Sequence, residues 1–342
     1  MSESAENKKT ASYESELRQD IVTGDWVVIA TGRAKRPDDF ASSDRASIDS
    51  SNDPFENPEE SGQEKDVLIY RRDDGDWSLR VIPNKFPAFT RGRAVKDLSK
   101  GPYFAMSGVG YHEVVITRDK ERSLALLETW QVAEVLDAYH ERYLALMNKK
   151  SVNYIQVFHN HGKESGSSIQ HPHSQLMAIP VISPYVSLGL VGSEQYYKAH
   201  QQNVFDVLVE YETEQKERLV YENEHFVVFC PYASRAAFEM WVVGKRHNPY
   251  FERITDDEKF ACAEALKQAL ALLYKGLNNP AYNFYINTAP CDGKDYPHYQ
   301  WHIEIVPRMS TWGGLELATG IEVSTIQPEK AAEYLRSVLP ND

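Results

Sequence analysis

The sequence predicts an α+β fold made of two similar halves, and the main reason is a repeat along the chain. Asn160 and Asn287 each end a predicted strand, and they are 127 residues apart. His171 and His298 each open the next predicted strand, at the same separation of 127 residues. A fixed spacing of this kind is the signature of a duplicated unit. We therefore expect two pseudo-symmetric halves, each an antiparallel sheet with packed helices.

The first half is expected to span residues 17–185, after a polar tail at 1–16 that we expect to be disordered. Runs of β-branched and aromatic residues predict its strands, and apolar residues three and four positions apart predict its helix. The predicted strands lie at 21–30, 67–71, 77–82, 111–117 and 153–158, and the predicted helix lies at 128–147. Glu113 in the fourth of these strands is matched with Glu239, 126 residues later.

The second half, residues 186–342, repeats this order of elements. A helix predicted at 256–277 starts with Thr255 and Glu258, which match a capping box. Pro328 favours the first turn of a short final helix. Further strands are predicted at 227–230, 238–243 and 283–287, and a further helix at 193–218.

Composition and charge exclude several classes of protein. Among 342 residues, 50 acidic side chains outnumber 37 basic ones, and the net charge of −13 would repel a nucleic-acid backbone. No apolar run approaches the roughly 20 residues that span a bilayer, and the polar start carries no apolar signal core. Cys230, Cys262 and Cys291 are odd in number and widely spaced, which argues for a reducing compartment. We therefore expect a cytoplasmic protein with no nucleic-acid or membrane partner.

The most informative segment is the run His-Pro-His-Ser-Gln at 171–175. In an extended strand alternate side chains share a face, so we expect His171, His173 and Gln175 to point the same way. Polar side chains on an otherwise apolar strand are costly unless they are satisfied or functional. A neutral imidazole can attack phosphorus and form a covalent intermediate, and the Gly/Ser-rich loop at 160–168 suits a phosphate. From the residues alone, metal binding by the alternate histidines is an equally good interpretation.

The His-Pro-His-Ser-Gln run, the loop from Asn160 to Gly166-Ser-Ser and the repeated halves together resemble galactose-1-phosphate uridylyltransferases, a family of the histidine-triad superfamily. The resemblance covers nearly the whole chain and implies two histidine-triad-like halves and a ping-pong nucleotidyl transfer. His173 then corresponds to the nucleophile that attacks the α-phosphorus of a nucleotide sugar. Gln175 corresponds to the residue that holds the phosphoryl oxygens, and His171 completes the implied catalytic set.

The same resemblance implies contacts with the rest of the substrate. The residues that match nucleotide and phosphate contacts are Arg33, Arg36, Asn84, Phe86, Asn160, Gly166, Ser167 and Ser168. Arginine presents its donors in a rigid fork that suits phosphate, which independently fits Arg33 and Arg36. Glu322 matches a residue that holds hexose hydroxyls. Glu316 stands where some relatives carry a basic residue, which weakens the case for galactose 1-phosphate.

The chain departs from the family at the positions of structural zinc. The resemblance implies a Cys-x-x-Cys turn in each half, and the four cysteine positions here carry Asp53, Glu56, Asn203 and Asp206. Lys120 and Gln300 replace two further ligands, so that His171 remains in the first half and His247 in the second. A lysine among carboxylates predicts an ion-paired replacement of the metal. We therefore expect no zinc and no other cofactor.

The expected function is transfer of a nucleoside monophosphate from a nucleotide sugar to a hexose 1-phosphate, as in galactose metabolism. UDP-glucose and galactose 1-phosphate are the leading pair of substrates. An enzymatic alternative is an ADP-glucose or dinucleotide phosphorylase, in which inorganic phosphate is the acceptor. An alternative of another class is a non-catalytic nucleotide-sugar sensor. The resemblance also implies a homodimer.

Overall fold

The computed structural model describes residues 15–30, 53–92 and 94–338, so most of the predicted tail lies outside it. Its strands are β1 (Glu16–Gln19), β2 (Trp26–Ile29), β3 (Leu68–Arg71), β4 (Trp77–Pro83), β5 (Tyr111–Thr117), β6 (Tyr154–His161), β7 (His173–Ile179), β8 (Leu219–Glu222), β9 (Phe226–Phe229), β10 (Met240–Gly244), β11 (Tyr282–Asn287), β12 (His302–Pro307) and β13 (Glu322–Ser324). Its helices are α1 (Thr129–Met147), α2 (Pro184–His200), α3 (Val204–Gln215), α4 (Asp256–Gly276), α5 (Gly314–Thr319) and α6 (Pro328–Ser337).

Ten strands form one antiparallel sheet in the order β3-β4-β5-β7-β6-β11-β12-β10-β9-β8. Five strands come from each half of the chain, and the second five repeat the order of the first five in mirror image. β6 and β11 pair at the centre, where Phe158 lies opposite Tyr285. The α+β fold with two pseudo-symmetric halves is therefore confirmed, and the halves share one continuous sheet.

Two long helices, α1 and α4, pack against each other over one face of this sheet. The buried Tyr139 and Tyr143 of α1 and Leu266 of α4 lie in one apolar core with sheet residues such as Val115 and Ile303. The periodicity that predicted both helices thus marks the side that faces the sheet. Since the helices cover this face, side chains that point to the opposite face can line a site.

The helix predicted at 193–218 is instead two helices, α2 and α3. Gln201 adopts a left-handed backbone conformation with φ 55° and ends α2. Asn203 then caps α3, because its side chain accepts a hydrogen bond of 2.9 Å from the backbone N–H of Phe205. Periodicity alone could not show this interruption, since both segments carry apolar residues at helical spacing. Among the described residues, no helix has the length and apolar character needed to cross a membrane.

A second sheet, in the order β1-β2-β13, joins the start of the described chain to its C-terminal segment. β1 begins at Glu16, so ordered structure reaches the last residue of the predicted tail. Arg18 on β1 bonds to Glu329 of α6 at 2.9 Å, which ties the final helix to this sheet.

The structure corrects the register of the repeat. His173 opens β7 and His302 opens β12, and each donates from Nδ1 to the backbone carbonyl two residues earlier, at 2.8 and 3.0 Å. The equivalent of His173 is therefore His302 and not Gln300, so these two strands are offset by two residues from the predicted spacing. Gln175 corresponds to Glu304 in this register.

The match of Glu113 with Glu239 was also wrong. Glu113 lies on the helix side of the sheet and accepts two hydrogen bonds from Arg142 of α1. Glu239 lies on the opposite side, because the next residue, Met240, belongs to the core under the helices. A shift of one residue in a strand moves a side chain to the other face, so the partner of Glu239 in the first half is His112.

Candidate active site

A cleft of about 1000 Å³ opens on the sheet face that the long helices leave uncovered. It lies where β4, β5 and β7 run side by side, and polar side chains from β5, from β7 and from the turn after β4 line it. Its principal lining residues are Asp53, Phe55, Glu56, Asn84, Lys85, Phe86, His112, Lys120, Ser168, His173 and Gln175. Several of the residues predicted from sequence are thus brought together in one concave site.

His173 is held as a neutral imidazole whose free nitrogen can react. The backbone carbonyl of His171 can only accept, so Nδ1 of His173 carries a proton and donates it over 2.8 Å. Burial lowers the pKa of His173, although the bond to the backbone opposes this effect. Nε2 on the far side of the ring therefore keeps a lone pair near neutral pH. This is the protonation state required of a histidine nucleophile.

Gln175 lines the cleft two residues further along β7, on the same face as His173. Its Oε1 lies 2.7 Å from Nε2 of His112 on the neighbouring strand β5. The sequence motifs predict no functional role for His112. The alternation of β5 could have identified it, because His112 points to the site face while Glu113 points to the helices.

Asn84 and Phe86 lie in the turn that follows β4, at the mouth of the cleft. The side chain of Asn84 accepts a hydrogen bond of 2.8 Å from the backbone N–H of Phe86, which fixes the turn. The Phe86 ring is 84% exposed. An exposed aromatic ring beside an amide is a suitable surface for a nucleobase, as the resemblance predicts for these positions.

The Gly/Ser loop divides its residues between the cleft and a smaller neighbouring pocket. Gly166 adopts φ 88°, a left-handed conformation that favours glycine. Ser168 then lines the cleft, whereas Asn160 and Ser167 line a pocket of about 220 Å³ behind the loop. The Ser167 hydroxyl donates to the Ile169 carbonyl at 2.9 Å. The predicted phosphate loop therefore reaches the cleft through Ser168.

His171 does not share the cleft with His173 and Gln175, contrary to the expectation from alternation. Its side chain is fully buried, with Nδ1 2.8 Å from a carboxylate oxygen of Asp53 and Nε2 2.6 Å from the Thr117 carbonyl. Regular strand geometry begins only at His173. His171 can therefore position the strand but does not face the space where a substrate would lie.

Comparison with known proteins agrees with this geometry. The family model for the N-terminal domain of galactose-1-phosphate uridyl transferase matches residues 4–183, which is more than half of the chain. The chain belongs to the galactose-1-phosphate uridylyltransferase family. It is thus an enzyme of a nucleotidyltransferase family. A second model, described as a domain of unknown function (DUF4921), matches residues 126–341.

Relatives in this family carry two different names. ADP-glucose phosphorylase from Arabidopsis thaliana is 34% identical over 94% of this chain and 93% of its own length. Galactose-1-phosphate uridylyltransferase from Thermotoga maritima is 26% identical over 94% of this chain and 98% of its own length. The crystal structure of the Arabidopsis thaliana phosphorylase with bound ADP-glucose has a TM-score of 0.82 and 31% identity, and the match covers 96% of this chain and all of that one.

The first set of family zinc positions does not fit a metal ion here. Lys120 lies 2.8 Å from one carboxylate oxygen of Glu56, and Arg118 lies 3.3 Å from the other. Asp53 is paired with His171, whose two ring nitrogens are both engaged. An ammonium group occupies the place of a ligand and neutralises a carboxylate that zinc would need. We call Asp53, Glu56, Lys120 and His171 the first polar cluster.

The second set comprises Asn203, Asp206, His247 and Gln300, and we call it the second polar cluster. Nε2 of His247 donates to the Pro297 carbonyl at 2.8 Å, and its Nδ1 lies 3.6 Å from Asp206. Gln300 accepts from the backbone N–H of Asn248 at 2.6 Å. Amides stand at two of the four positions, Asn203 and Gln300, where zinc would need thiolate, imidazole or carboxylate ligands, so this set does not fit zinc either. Within the described ranges, no group of three or more His, Cys, Asp or Glu could hold a metal ion.

Glu322, the predicted sugar contact, lies away from the cleft on β13. Its carboxylate is 3.8 Å from Nε of Arg235, in a group that includes Glu239 and Glu304. Burial raises the pKa of Glu322 to about 7, while the charge of Arg235 lowers it. The structure thus does not bring Glu322 next to His173. Arg33 and Arg36 lie outside the described residues.

Proposed function

We propose that the protein is an ADP-glucose phosphorylase, which transfers AMP from ADP-glucose to inorganic phosphate through a covalent adenylyl-His173. The observation that carries this proposal is the neutral His173, whose free Nε2 faces the cleft beside Gln175. The choice of donor and acceptor rests on the relative of that name, which is 34% identical to this chain. This reaction is the phosphorylase alternative that the sequence left open.

In the first step, Nε2 of His173 forms a bond to the α-phosphorus of ADP-glucose. The bond from that phosphorus to the bridging oxygen breaks, and glucose 1-phosphate leaves with the electron pair. The ring becomes positively charged, and its Nδ1–H bond to the His171 carbonyl stabilises that charge. Gln175 donates to the phosphoryl oxygens, where negative charge develops in the transition state.

In the second step, an oxygen of inorganic phosphate attacks the same phosphorus. The bond between phosphorus and His173 breaks, and ADP leaves while the ring returns to its neutral form. Two displacements on one phosphorus replace a single difficult encounter of two anions. The Phe86 ring and the Asn84 amide would hold the base and ribose at the mouth of the cleft.

A second candidate is the reaction first expected, with UDP-glucose as donor and galactose 1-phosphate as acceptor. The Thermotoga maritima uridylyltransferase, which is 26% identical over nearly the full length, supports it. Both reactions use the same nucleophile and the same cleft. They differ in the base that His173 would carry and in the acceptor that would remove it.

Intact-protein mass spectrometry separates the two candidates. We expect ADP-glucose to add one adenylyl group to the wild-type protein within the mixing time, and the His173→Ala variant to remain unmodified. Inorganic phosphate should then remove the group and yield ADP. A uridylyl adduct from UDP-glucose that only galactose 1-phosphate removes would favour the second candidate. No adduct with either donor on a folded protein would refute both.

We also propose that the two polar clusters replace zinc with contacts between side chains. The support is the Glu56–Lys120 ion pair of 2.8 Å and the Asp53–His171 pair of 2.8 Å. Elemental analysis of protein purified without chelator should find less than stoichiometric zinc. The triple variant Asp53→Cys, Glu56→Cys, Lys120→His should bind one zinc ion per chain. One tightly bound zinc ion in the wild-type protein would overturn the proposal.

A further inference from the structure

His112 has a ring orientation that its surroundings determine. The backbone N–H of Ala88 points to Nδ1 of His112 at 3.2 Å. A backbone N–H can only donate, so Nδ1 accepts. A neutral imidazole has one proton, and that proton is then on Nε2. The loop after β4 therefore selects the tautomer of a histidine on β5.

The proton on Nε2 decides how the Gln175 amide is turned. Nε2 lies 2.7 Å from Oε1 of Gln175, and as a donor it requires an oxygen there. Nδ2 of Asn84 is also near Nε2, at 3.1 Å. Two donors do not bond to each other, so in this tautomer the contact between the Asn84 amide and the ring is not a hydrogen bond. With Oε1 bound to His112, the NH2 group of Gln175 is the end that faces the cleft.

We propose that His112 is a positioning residue for nucleotidyl transfer, which holds the Gln175 amide with its donor end towards the phosphoryl group. This inference rests on the proposed transfer to His173. Either end of a glutamine amide fits the same space, and the wrong end would place a carbonyl oxygen against phosphoryl oxygens. A fixed donor requires no reorganisation as charge develops in the transition state. His112 itself acts through Gln175.

The other half of the sheet shows what the same positions do without this role. Glu239 takes the place of His112, and Glu304 takes the place of Gln175. Both side chains are acceptors, and Arg235 joins them from between. The pair of a ring N–H donor and an amide acceptor, which His112 and Gln175 form beside His173, is therefore absent at these equivalent positions.

Two substitutions of His112 separate its two ring nitrogens. In His112→Asn, the short amide can still accept from Ala88 but cannot reach Gln175. In His112→Gln, the longer amide can place an N–H group near the position of Nε2. We expect His112→Asn to slow single-turnover adenylylation of His173 by ten- to a hundredfold, with little change in donor affinity. His112→Gln should recover the rate to within about fivefold of wild type.

A double-mutant cycle tests whether His112 acts through Gln175. In the Gln175→Ala background His112 has no amide to hold, so His112→Asn should have almost no further effect on the rate. An equal slowing in both backgrounds would overturn the inference. So would a wild-type rate for His112→Asn, or an equal loss for both His112 variants when melting curves show that they are folded.

The ring state of His112 can be measured without any turnover. Nitrogen-15 spectra of the histidine side chains should show His112 with its proton on Nε2, and Gln175→Ala should shift that signal. A proton on Nδ1 would overturn the inference even if His173 is adenylylated. Conversely, an unmodified His173 with either donor would refute the proposed function, while the tautomer would still decide the position of the Gln175 amide.

Discussion

His173 and His302 occupy equivalent positions in the two halves, and they differ in what lies in front of the ring. Both open a strand and both donate from Nδ1 to a backbone carbonyl two residues earlier. Nε2 of His173 faces a cleft of about 1000 Å³. Nε2 of His302 lies 3.3 Å from Glu304 and 3.3 Å from Asn287, and its ring stacks on Trp241 at 4.9 Å.

The difference shows that the backbone bond alone does not make a nucleophile. It selects the tautomer in both halves, but only the first half leaves the opposite nitrogen a space for a substrate. In the second half, Arg235 pairs with the buried Glu304 and fills the region. Burial would raise the pKa of Glu304, but the charge of Arg235 keeps the pKa low, so a charge lies where the first half has the neutral Gln175. The first half is therefore open to a ligand, and the second is closed by a buried ion-pair network.

The largest expected effect separates the two histidines directly. His173→Ala should lower turnover by about a thousandfold or more, because alanine cannot form the covalent intermediate. His302→Ala should leave the rate per folded molecule unchanged. It should lower the free energy of unfolding by about 2–4 kcal/mol, since it leaves a cavity and unpaired partners. Single-turnover labelling and urea unfolding of both variants give the comparison, and a large rate loss in His302→Ala would break it.

The next effect concerns the residue two positions further along each strand. Gln175→Ala should slow transfer by roughly ten- to a thousandfold, as does the loss of one donor to a developing oxyanion. The matched change in the second half, Glu304→Gln, should alter stability and leave the rate of transfer unaltered. Rapid-quench measurement at saturating donor distinguishes the two. An undiminished rate in Gln175→Ala would show that other groups hold the phosphoryl oxygens.

The pH dependence tests the reactive state of His173. Burial is the main reason that its pKa is below the ordinary value, and the nearby His171 lowers it while Asp53 raises it. The nucleophilic form should therefore predominate at pH 7 and above. Adenylylation should fall about tenfold per pH unit once the pH drops below that pKa, which lies under the usual value of about 6.5. A midpoint above pH 7 in single-turnover assays would contradict the neutral resting state.

The smallest effect concerns Glu322 in the closed half. Its pKa in the folded protein is raised to about 7, so between its unfolded value and pH 7 the folded state holds the extra proton. Stability from this group is therefore present at low pH and lost as the pH rises through 7. Between pH 5 and pH 8, the free energy of unfolding of the wild-type protein should fall by on the order of 1 kcal/mol more than that of Glu322→Gln, after allowance for screening by solvent.

Urea unfolding of both proteins at the two pH values gives this difference directly, because the contributions of the other titratable groups are the same in both proteins and cancel. An identical pH dependence in the two proteins would mean that Glu322 is an ordinary carboxylate. A KM for the nucleotide sugar that rises in Glu322→Gln would instead support the sugar contact that the resemblance implied.

Much of the fold could be predicted from local patterns. The helical periodicity of residues 128–147 and the capping box at Thr255 correspond to observed helices, α1 and α4. The interruption between α2 and α3 could not be seen, because it depends on the left-handed Gln201. The repeat was recognised, but its strand register was wrong by two residues at the nucleophile, since matching residue types does not show where a strand begins.

The site was predicted in part. His173, Gln175, Asn84, Phe86 and Ser168 do line one cleft. His171 and Glu322 lie elsewhere, and His112 was missed, because only the pairing of β5 with β7 brings it within 2.7 Å of Gln175. These differences concern residues whose neighbours come from distant parts of the chain.

The sequence by itself determined the duplicated α+β fold, the family and the presence of a nucleophilic histidine motif. These features depend on periodicity, on spacing and on residues that are close along the chain. The tertiary structure alone decided which histidine lines an open cleft and which side chain lies beside Gln175. Those outcomes depend on burial and on contacts between strands far apart in sequence, and local chemistry does not contain that information.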